Sequence, residues 1–349
     1  MNKKEEYKPP FTITNCMLDN ISSIMKKIGK LDNYKELNKM PILRRNNRIK
    51  SIHSSLAIEA NSLSLDEVKG VIDGKTIIGS QKEVQEVKNA YEAYSKIKEV
   101  NPYNLNDLKK IHGILTHLTV TESGKFRVGN EGVFDEKGNC IHICPPPEQV
   151  SELMKQLFNW MKKNKDEIHP LIMSSIFHYE FVFIHPFSDG NGRTARLWQN
   201  IILSNWEDIF EYVPIESEIM KYQKEYYSSI NNCNQVGDST EFIEFMLKMI
   251  NETLDNLIIG INTQINHISS YVKRLLEVME PGINYSRVEL MDLLGLKSRV
   301  SFVDNYLNPA IENGLVKMTY PDSPTNKNQT YSIISSSSNL TSKNFLEAK

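Results

Sequence analysis

Residues 185–196 read HPFSDGNGRTAR: one imidazole, one carboxylate, an asparagine between two glycines, and two arginines three positions apart. Gly190 and Gly192 let the backbone enter conformations that a Cβ forbids. Successive amides can then converge on one anion. A helix beginning here adds the positive end of its dipole. Arg193 and Arg196 supply forked cations that match phosphate oxygens. Asp189 would repel phosphates unless a cation lay between them, and Mg²⁺ typically combines one or two carboxylates with phosphate oxygens. His185 ends the preceding apolar run, where an imidazole can take a proton from an attacking hydroxyl. A metal-nucleotide, a base and an anion cradle together imply transfer of a phosphorus group to an acceptor hydroxyl.

Two other nucleotide motifs compete for these residues. GNGRTA (190–195) fits the dinucleotide pattern GxGxxA, which wants a preceding strand and a chain of alternating strands and helices. Neither suits the sequence, and Asp189 argues against a metal-free pyrophosphate. GVIDGKT (70–76) has three residues between its glycines where a P-loop needs four, so it reads as a turn. CIHIC (140–144) could suggest a metal, but no second ligand pair accompanies it and its alternation fits a strand. His112, His117, His142 and His178 read as packing or surface residues.

The elements that must position the motif are mostly helical. CMLDNISSIMKKIGKL, SQKEVQEVKNAYEAYSKIKEV, NLNDLKKIHGILTHL and PPEQVSELMKQLFNWMKKN carry apolar residues at three-to-four spacing. Asn104 or Asn106 would cap the third. PLIMSSIFHYEFVFI (170–184) is apolar almost throughout, which predicts a buried helix opened by Pro170. RTARLWQNIILSNW resumes an amphipathic helix after the loop. One island, 131–144, predicts a β-hairpin around the turn DEKGN. Farther on, helix, turn at GLKS, second helix and two strands predict a winged-helix domain.

The fold class expected is therefore mainly α: a helical core with a β-hairpin flap and a C-terminal winged helix. The domain divisions expected are 1–103, 104–251, 252–282, 283–334 and a polar tail, 335–349. The chain has 41 Lys+Arg against 43 Asp+Glu, a net charge of −2, which excludes a polyanion-coating protein. No segment reaches the ~18 apolar residues of a membrane span. A cytoplasmic protein with no membrane partner is the expectation. Between 281 and 331, five basic residues face five acidic ones, so DNA binding through Arg287, Lys297 and Arg299 is not favoured.

HPFSDGNGRTAR resembles the signature of the Fic family, HxFx(D/E)GNGRxxR, at every defined position. The resemblance covers about residues 104–250 and implies a helical fido core that moves AMP from ATP to a protein hydroxyl. It implies His185 as the base, Phe187 as the loop's anchor and Asp189 as the Mg²⁺ ligand, with Mn²⁺ as an alternative ion. Gly190, Asn191 and Gly192 would form the anion hole, Arg193 and Arg196 would hold the β/γ-phosphates, and Thr194 and Ala195 complete the nucleotide loop. Relatives that transfer phosphate carry Lys at the position of Gly192, so Gly192 favours AMP. The hairpin resembles the family's flap, which holds the target by strand addition, with Gly132, Val133 and Phe134 near the nucleotide. KEYYSSINNCN (224–234) resembles the stretch beside adenine, placing Tyr227 and Asn234 there. SSLAIEAN (54–61) resembles the inhibitory motif (S/T)xxxE(G/N), with Ser55 and Glu59 on one helical face. That resemblance implies a Glu59–Arg196 pair that misaligns ATP, although Ala60 stands where Gly or Asn is usual.

The function expected is an autoinhibited protein adenylyltransferase. Its partner would be a protein with a Ser, Thr or Tyr hydroxyl, this chain included, and a homodimer is compatible with it. The alternative is a nucleotide-responsive transcriptional regulator. The complete set of His185, Asp189, Arg193 and Arg196 favours the enzyme, because a sensor could dispense with the base.

Overall fold

The structure is a computed structural model that describes residues 7–33, 41–134, 138, 140–267, 269–280, 282–321 and 323–334. The expected turn at 135–139, save Gly138, and the tail 335–349 lie outside the described residues. Two compact units form. One takes residues 1–28 and 47–255, the other 29–46 and 256–349. Residues 47–103 thus fall in the same unit as the motif.

The helices before the hairpin are α1 (Asn15–Asn33), α2 (Pro41–Ile58), α3 (Leu65–Ile72), α4 (Gln81–Ser95) and α5 (Leu105–Leu115). The hairpin is β1 (Gly132–Phe134) with β2 (Cys140–Ile143). After it come α6 (Pro147–Asn164), α7 (Pro170–Ile184), α8 (Asn191–Trp206), α9 (Ile215–Lys221), α10 (Gln223–Val236) and α11 (Thr240–His267). The mainly helical class is as the sequence pattern predicts. GVIDGKT is the end of α3 and a turn, with Gly74 at φ 75° and Lys75 N donating to Gly70 O.

α7 is the axis of the first unit. It is apolar on every side, and a helix of that kind is stable only when covered all round. Leu171, Ile172, Met173, Ile176, Phe177, Phe181 and Ile184 are all buried. Pro170 occupies its first turn, where a missing N–H costs nothing. α8 lies along it: Phe177 and Phe158 both pack on Trp198, and Phe177 stacks on Phe181. His178 is buried between Gln199 Oε1 at 2.6 Å and the Tyr226 hydroxyl at 2.9 Å. Sequence periodicity thus reports α7 correctly as a core helix, and the motif loop joins its end to the start of α8.

The hairpin is antiparallel, pairing Gly132 with Ile143, Val133 with His142 and Phe134 with Cys140, with a bulge between Val133 and Phe134. In the second unit, α12 (Ser270–Val278) is followed by β3 (Tyr285–Ser286), α13 (Arg287–Leu294), α14 (Arg299–Phe302), a π-helical segment (Val303–Leu307) and α15 (Asn308–Glu312). β4 (Val316–Met318) and β5 (Thr330–Ile333) complete a three-stranded sheet of order β3–β5–β4. Ser286 and Glu289 form a reciprocal capping box that starts α13, and Gly295 ends it in the left-handed region. Leu276, Leu290, Phe302, Leu307 and Val316 are among the residues of its core.

Burial holds two imidazoles of the first unit neutral: His178, brought down to about 3, and His112, brought down to about 4. Unfolded imidazoles titrate near ~6.5. The unfolded chain therefore binds protons that the folded chain refuses, so stability is lost as pH falls below about 6.5. The urea midpoint should drop between about pH 7 and pH 5, and His178→Gln should flatten that slope. A wild-type midpoint constant over this range would contradict the assignment.

Candidate active site

The turn between α7 and α8 is held in an uncommon shape by contacts from outside it. His185 caps α7 at φ 51°, ψ 60°, in the left-handed region that a residue with a Cβ seldom enters. Gly190 caps the start of α8 at φ 80°, and a Cβ there would meet Thr116 Cγ2 at 2.9 Å. Between them Phe187 is fully buried. Its ring stacks on His112 at 3.5 Å and packs on Phe126 and Phe181. Asn191 closes the turn: its Oδ1 accepts from Phe187 N at 3.0 Å, and its Nδ2 donates to Phe187 O at 2.7 Å. The Asn191 side chain is thus a staple across the loop.

His112 braces the same turn. Its Nδ1 accepts from Gly124 N at 2.9 Å, so Nε2 carries the proton and donates to Asp189 O at 2.9 Å. Sequence reading gave His112 a packing role. Nothing in local spacing marks a contact between residues 77 positions apart.

The His185 ring points its Nδ1 toward Val182 O at 3.4 Å. Burial lowers its pKa, and the neighbouring Arg127 and His142 act the same way, against opposing effects of Val182 O and Glu59. A neutral imidazole is the form that can accept a proton.

Both motif arginines are buried, and each meets a carboxylate from the N-terminal helices. Arg196 Nη2 donates to Glu59 Oε1 at 2.7 Å and to Ser55 O at 2.9 Å, and its Nε donates to Ser55 Oγ at 3.1 Å. Burial alone would lower the Arg196 pKa, but Glu59 reverses the effect and raises it. A Cβ placed on Gly192 would lie 2.2 Å from Glu59 Oε1. The Glu59 carboxylate therefore sits directly over Gly192. Arg193 Nη1 donates to Glu86 Oε1 at 3.1 Å, and Nη2 to Asp189 Oδ1 at 3.1 Å. Glu86, on α4, is a residue the sequence reading missed. It also accepts from Asn61 Nδ2 at 2.9 Å.

Ala60 follows Glu59 at φ 64°. The position usually held by Gly or Asn thus keeps its left-handed backbone here with a Cβ attached. The Asn61–Glu86 bond fixes the chain just beyond it.

The other sequence-predicted residues are placed as follows. Thr194 and Ala195 face the interior, and the Thr194 N–H and hydroxyl both go to Gly190 O. Gly132, Val133 and Phe134 form β1, whose partner strand is tied to α7 by His142 Nε2 on Phe183 O at 2.7 Å. Tyr227 is half-exposed and lies 3.4 Å from Ile58 O, beside the Glu59 turn. Asn234 sits two turns farther along α10, accepting from the Tyr179 hydroxyl at 3.0 Å. Asp189 has a side chain 46% exposed. Among the described residues, no cluster of three or more His, Cys, Asp or Glu side chains could hold a metal ion. Asp189 Oδ1 accepts from Gly190 N at 2.5 Å and from Arg193 Nη2 at 3.1 Å.

Residues 102–203 match the model of the Fic/DOC family, and residues 270–334 match the model of the Fic-like protein C-terminal domain. A Fic family protein from Desulfovibrio desulfuricans G20, known by its crystal structure, is 39% identical with a TM-score of 0.71, over 94% of this chain and 98% of that one. The protein adenylyltransferase Fic of Nematostella vectensis is 31% identical over 215 residues, 58% of this chain and 47% of that protein. That of Culex quinquefasciatus is 29% identical over 229 residues, covering 63% and 43%. This chain belongs to the Fic family. It spans about half the length of the curated relatives it matches.

The left-handed Ala60 generates an expectation of its own. A Cβ in this region costs ~1–2 kcal/mol, part of which a glycine returns through its freer unfolded chain. Ala60→Gly should therefore stabilise the first unit by about 1 kcal/mol or less, read from urea denaturation, while Ala60→Val should destabilise it. Loss of stability in Ala60→Gly would place the cost elsewhere.

Proposed function

We propose that this protein is a protein adenylyltransferase, which transfers AMP from ATP to a Ser, Thr or Tyr hydroxyl of a target protein and is restrained by its own Glu59. The observation that carries this reading is the Glu59 carboxylate seated over Gly192 and paired with Arg196. An anionic side chain held over Gly192 and paired with a buried guanidinium occupies a place suited to an anion. The names of the curated relatives support AMP as the transferred group.

On this reading His185, held neutral by burial, takes the proton of the target hydroxyl. The hydroxyl oxygen then bonds to the α-phosphorus of ATP. The bond from that phosphorus to the bridging β-oxygen breaks, and pyrophosphate leaves with the electron pair. The amides of Asn191 and Gly192 at the start of α8 would face the developing charge. Asp189 would hold the Mg²⁺ that accompanies ATP, where the ion would offset the charge of the phosphates. Arg196 can serve the phosphates only after Glu59 has left it. The hairpin edge offers main-chain groups to an extended target segment, and Gly192, where phosphate-transferring relatives carry Lys, supports AMP as the transferred group. The helical core would carry the transfer and the C-terminal winged-helix-like domain would serve target recognition or dimerisation, in the cytoplasm.

Three variants test the reading. Glu59→Gly should raise AMP incorporation by about 10²-fold, the effect of correcting a misalignment near ~1 Å. Arg196→Ala should not show the gain, and the double variant should resemble Arg196→Ala. Labelled-AMP incorporation compares them, and no gain in Glu59→Gly would remove the inhibitory role.

The base and the metal carboxylate separate in binding experiments. His185→Ala in the Glu59→Gly background should lose ~10²–10⁴ in rate and keep its calorimetric affinity for ATP. Asp189→Ala should make ATP affinity insensitive to Mg²⁺. Unchanged incorporation in the first variant, or an unchanged Mg²⁺ effect in the second, would dismiss the corresponding role.

A further inference from the structure

Arg127 lies outside the motif, in the loop before β1, and is buried. Its described side-chain hydrogen-bond partners are all main-chain carbonyls. Nε donates to His185 O at 2.7 Å, Nη1 to Gly129 O at 2.8 Å and Nη2 to Pro145 O at 2.5 Å, with a longer contact to Ile184 O at 3.4 Å. The Arg127 main-chain N–H donates to Pro186 O at 3.0 Å. One residue thus engages the carbonyls of 184, 185 and 186, the turn in which His185 takes φ 51°. The same guanidinium holds both roots of the hairpin, since Gly129 precedes β1 and Pro145 follows β2.

Physical chemistry gives each contact a reason. The last carbonyls of α7 lack helical partners and carry the negative end of the dipole, so a cation is favoured there. A planar five-donor fork can reach carbonyls on three strands of chain at once, which an ammonium cannot. A left-handed non-glycine residue is retained only where its surroundings over-determine it.

We propose that Arg127 is a positioning residue for the transfer reaction, fixing the left-handed His185 and the hairpin to each other so that base and target hydroxyl meet at reacting distance. This rests on the reading of the site as an AMP transferase with His185 as its base. The anion loop has separate supports, in Asn191, His112 and the arginine–carboxylate pairs, so nucleotide binding should not depend on Arg127. Burial acts most strongly on the imidazole. The charged or titratable groups that also act on it are Arg127 and His142, which disfavour its protonation, and Glu59, which favours it.

The experiment uses the full chain in the Glu59→Gly background, with Arg127→Lys and Arg127→Met. Lys keeps the charge without the fork, whereas Met removes both. Arg127→Lys should lower kcat by about 10²-fold, the order expected for ~1 Å of misplacement. Its ATP affinity by calorimetry should stay within about twofold of the parent, because an effect on the reacting geometry alone leaves substrate binding intact. The His185 Cα and Cβ chemical shifts should leave the values of a left-handed residue. In Arg127→Met the His185 imidazole should titrate at higher pH than in the parent. Retained kcat in both variants would overturn the proposal. So would an ATP affinity that falls in step with kcat, which marks a general structural role. If the Glu59→Gly parent transfers no AMP, the transferase reading fails on its own, and the His185 shifts then decide: an unchanged left-handed signature in Arg127→Lys would overturn the positioning role.

Discussion

Two buried guanidinium groups govern this site. Arg193 and Arg196 sit on α8 with side chains 5% and 1% exposed, and a cation so placed must find an anion. The N-terminal segments supply a carboxylate to each, Glu86 from α4 and Glu59 from the turn after α2, and Arg193 meets Asp189 as well. The N-terminal helices are therefore a structural part of this site. Removing one partner of a buried pair leaves an uncompensated charge, a cost of about 3–5 kcal/mol. That constraint couples any ligand of the loop to the helices above it. On the proposed reading an incoming phosphate would replace Glu59 as the partner of Arg196, so the two anions would compete for a single cation.

The motif loop depends on the same economy of contacts. His185 and Gly190 both adopt left-handed backbones at its two ends. Asn191 staples the middle, Phe187 anchors it in the core, and His112 and Arg127 reach in from distant parts of the chain to hold its carbonyls. These contacts fix the shape of the loop. Pre-organisation of that kind is what electrostatic stabilisation of a developing charge requires. Neutral His185, with its ring held near the loop by burial, suits the same end.

Much of this was open to reading in the sequence, and the reason is locality. The helix period of α1, α4, α5 and α6 and the all-round apolarity of α7 are properties of short windows, set by 3.6 residues per turn. The motif is also local: twelve consecutive residues cannot be far apart. Glu59 could be singled out because Ser55 and Glu59 are one helical turn apart and resemble a known pattern. GVIDGKT was readable as a turn for the same reason, since its glycine spacing rules out a phosphate loop.

Tertiary structure alone decided which groups from elsewhere in the chain converge on those twelve residues. Glu86 is one charged residue among several on an amphipathic helix, and only packing turns it inward to Arg193 across 107 positions. His112 and Arg127 read as ordinary residues until the fold brings them to the carbonyls of Asp189 and His185. The left-handed state of Ala60 is likewise invisible in the sequence, because alanine locally prefers the opposite hand and the surrounding contacts must override it. Sequence thus fixes what the motif can do chemically, through residue types and short spacing. The fold determines which charges are buried beside it, because desolvation and pairing arise only when distant segments exclude water together.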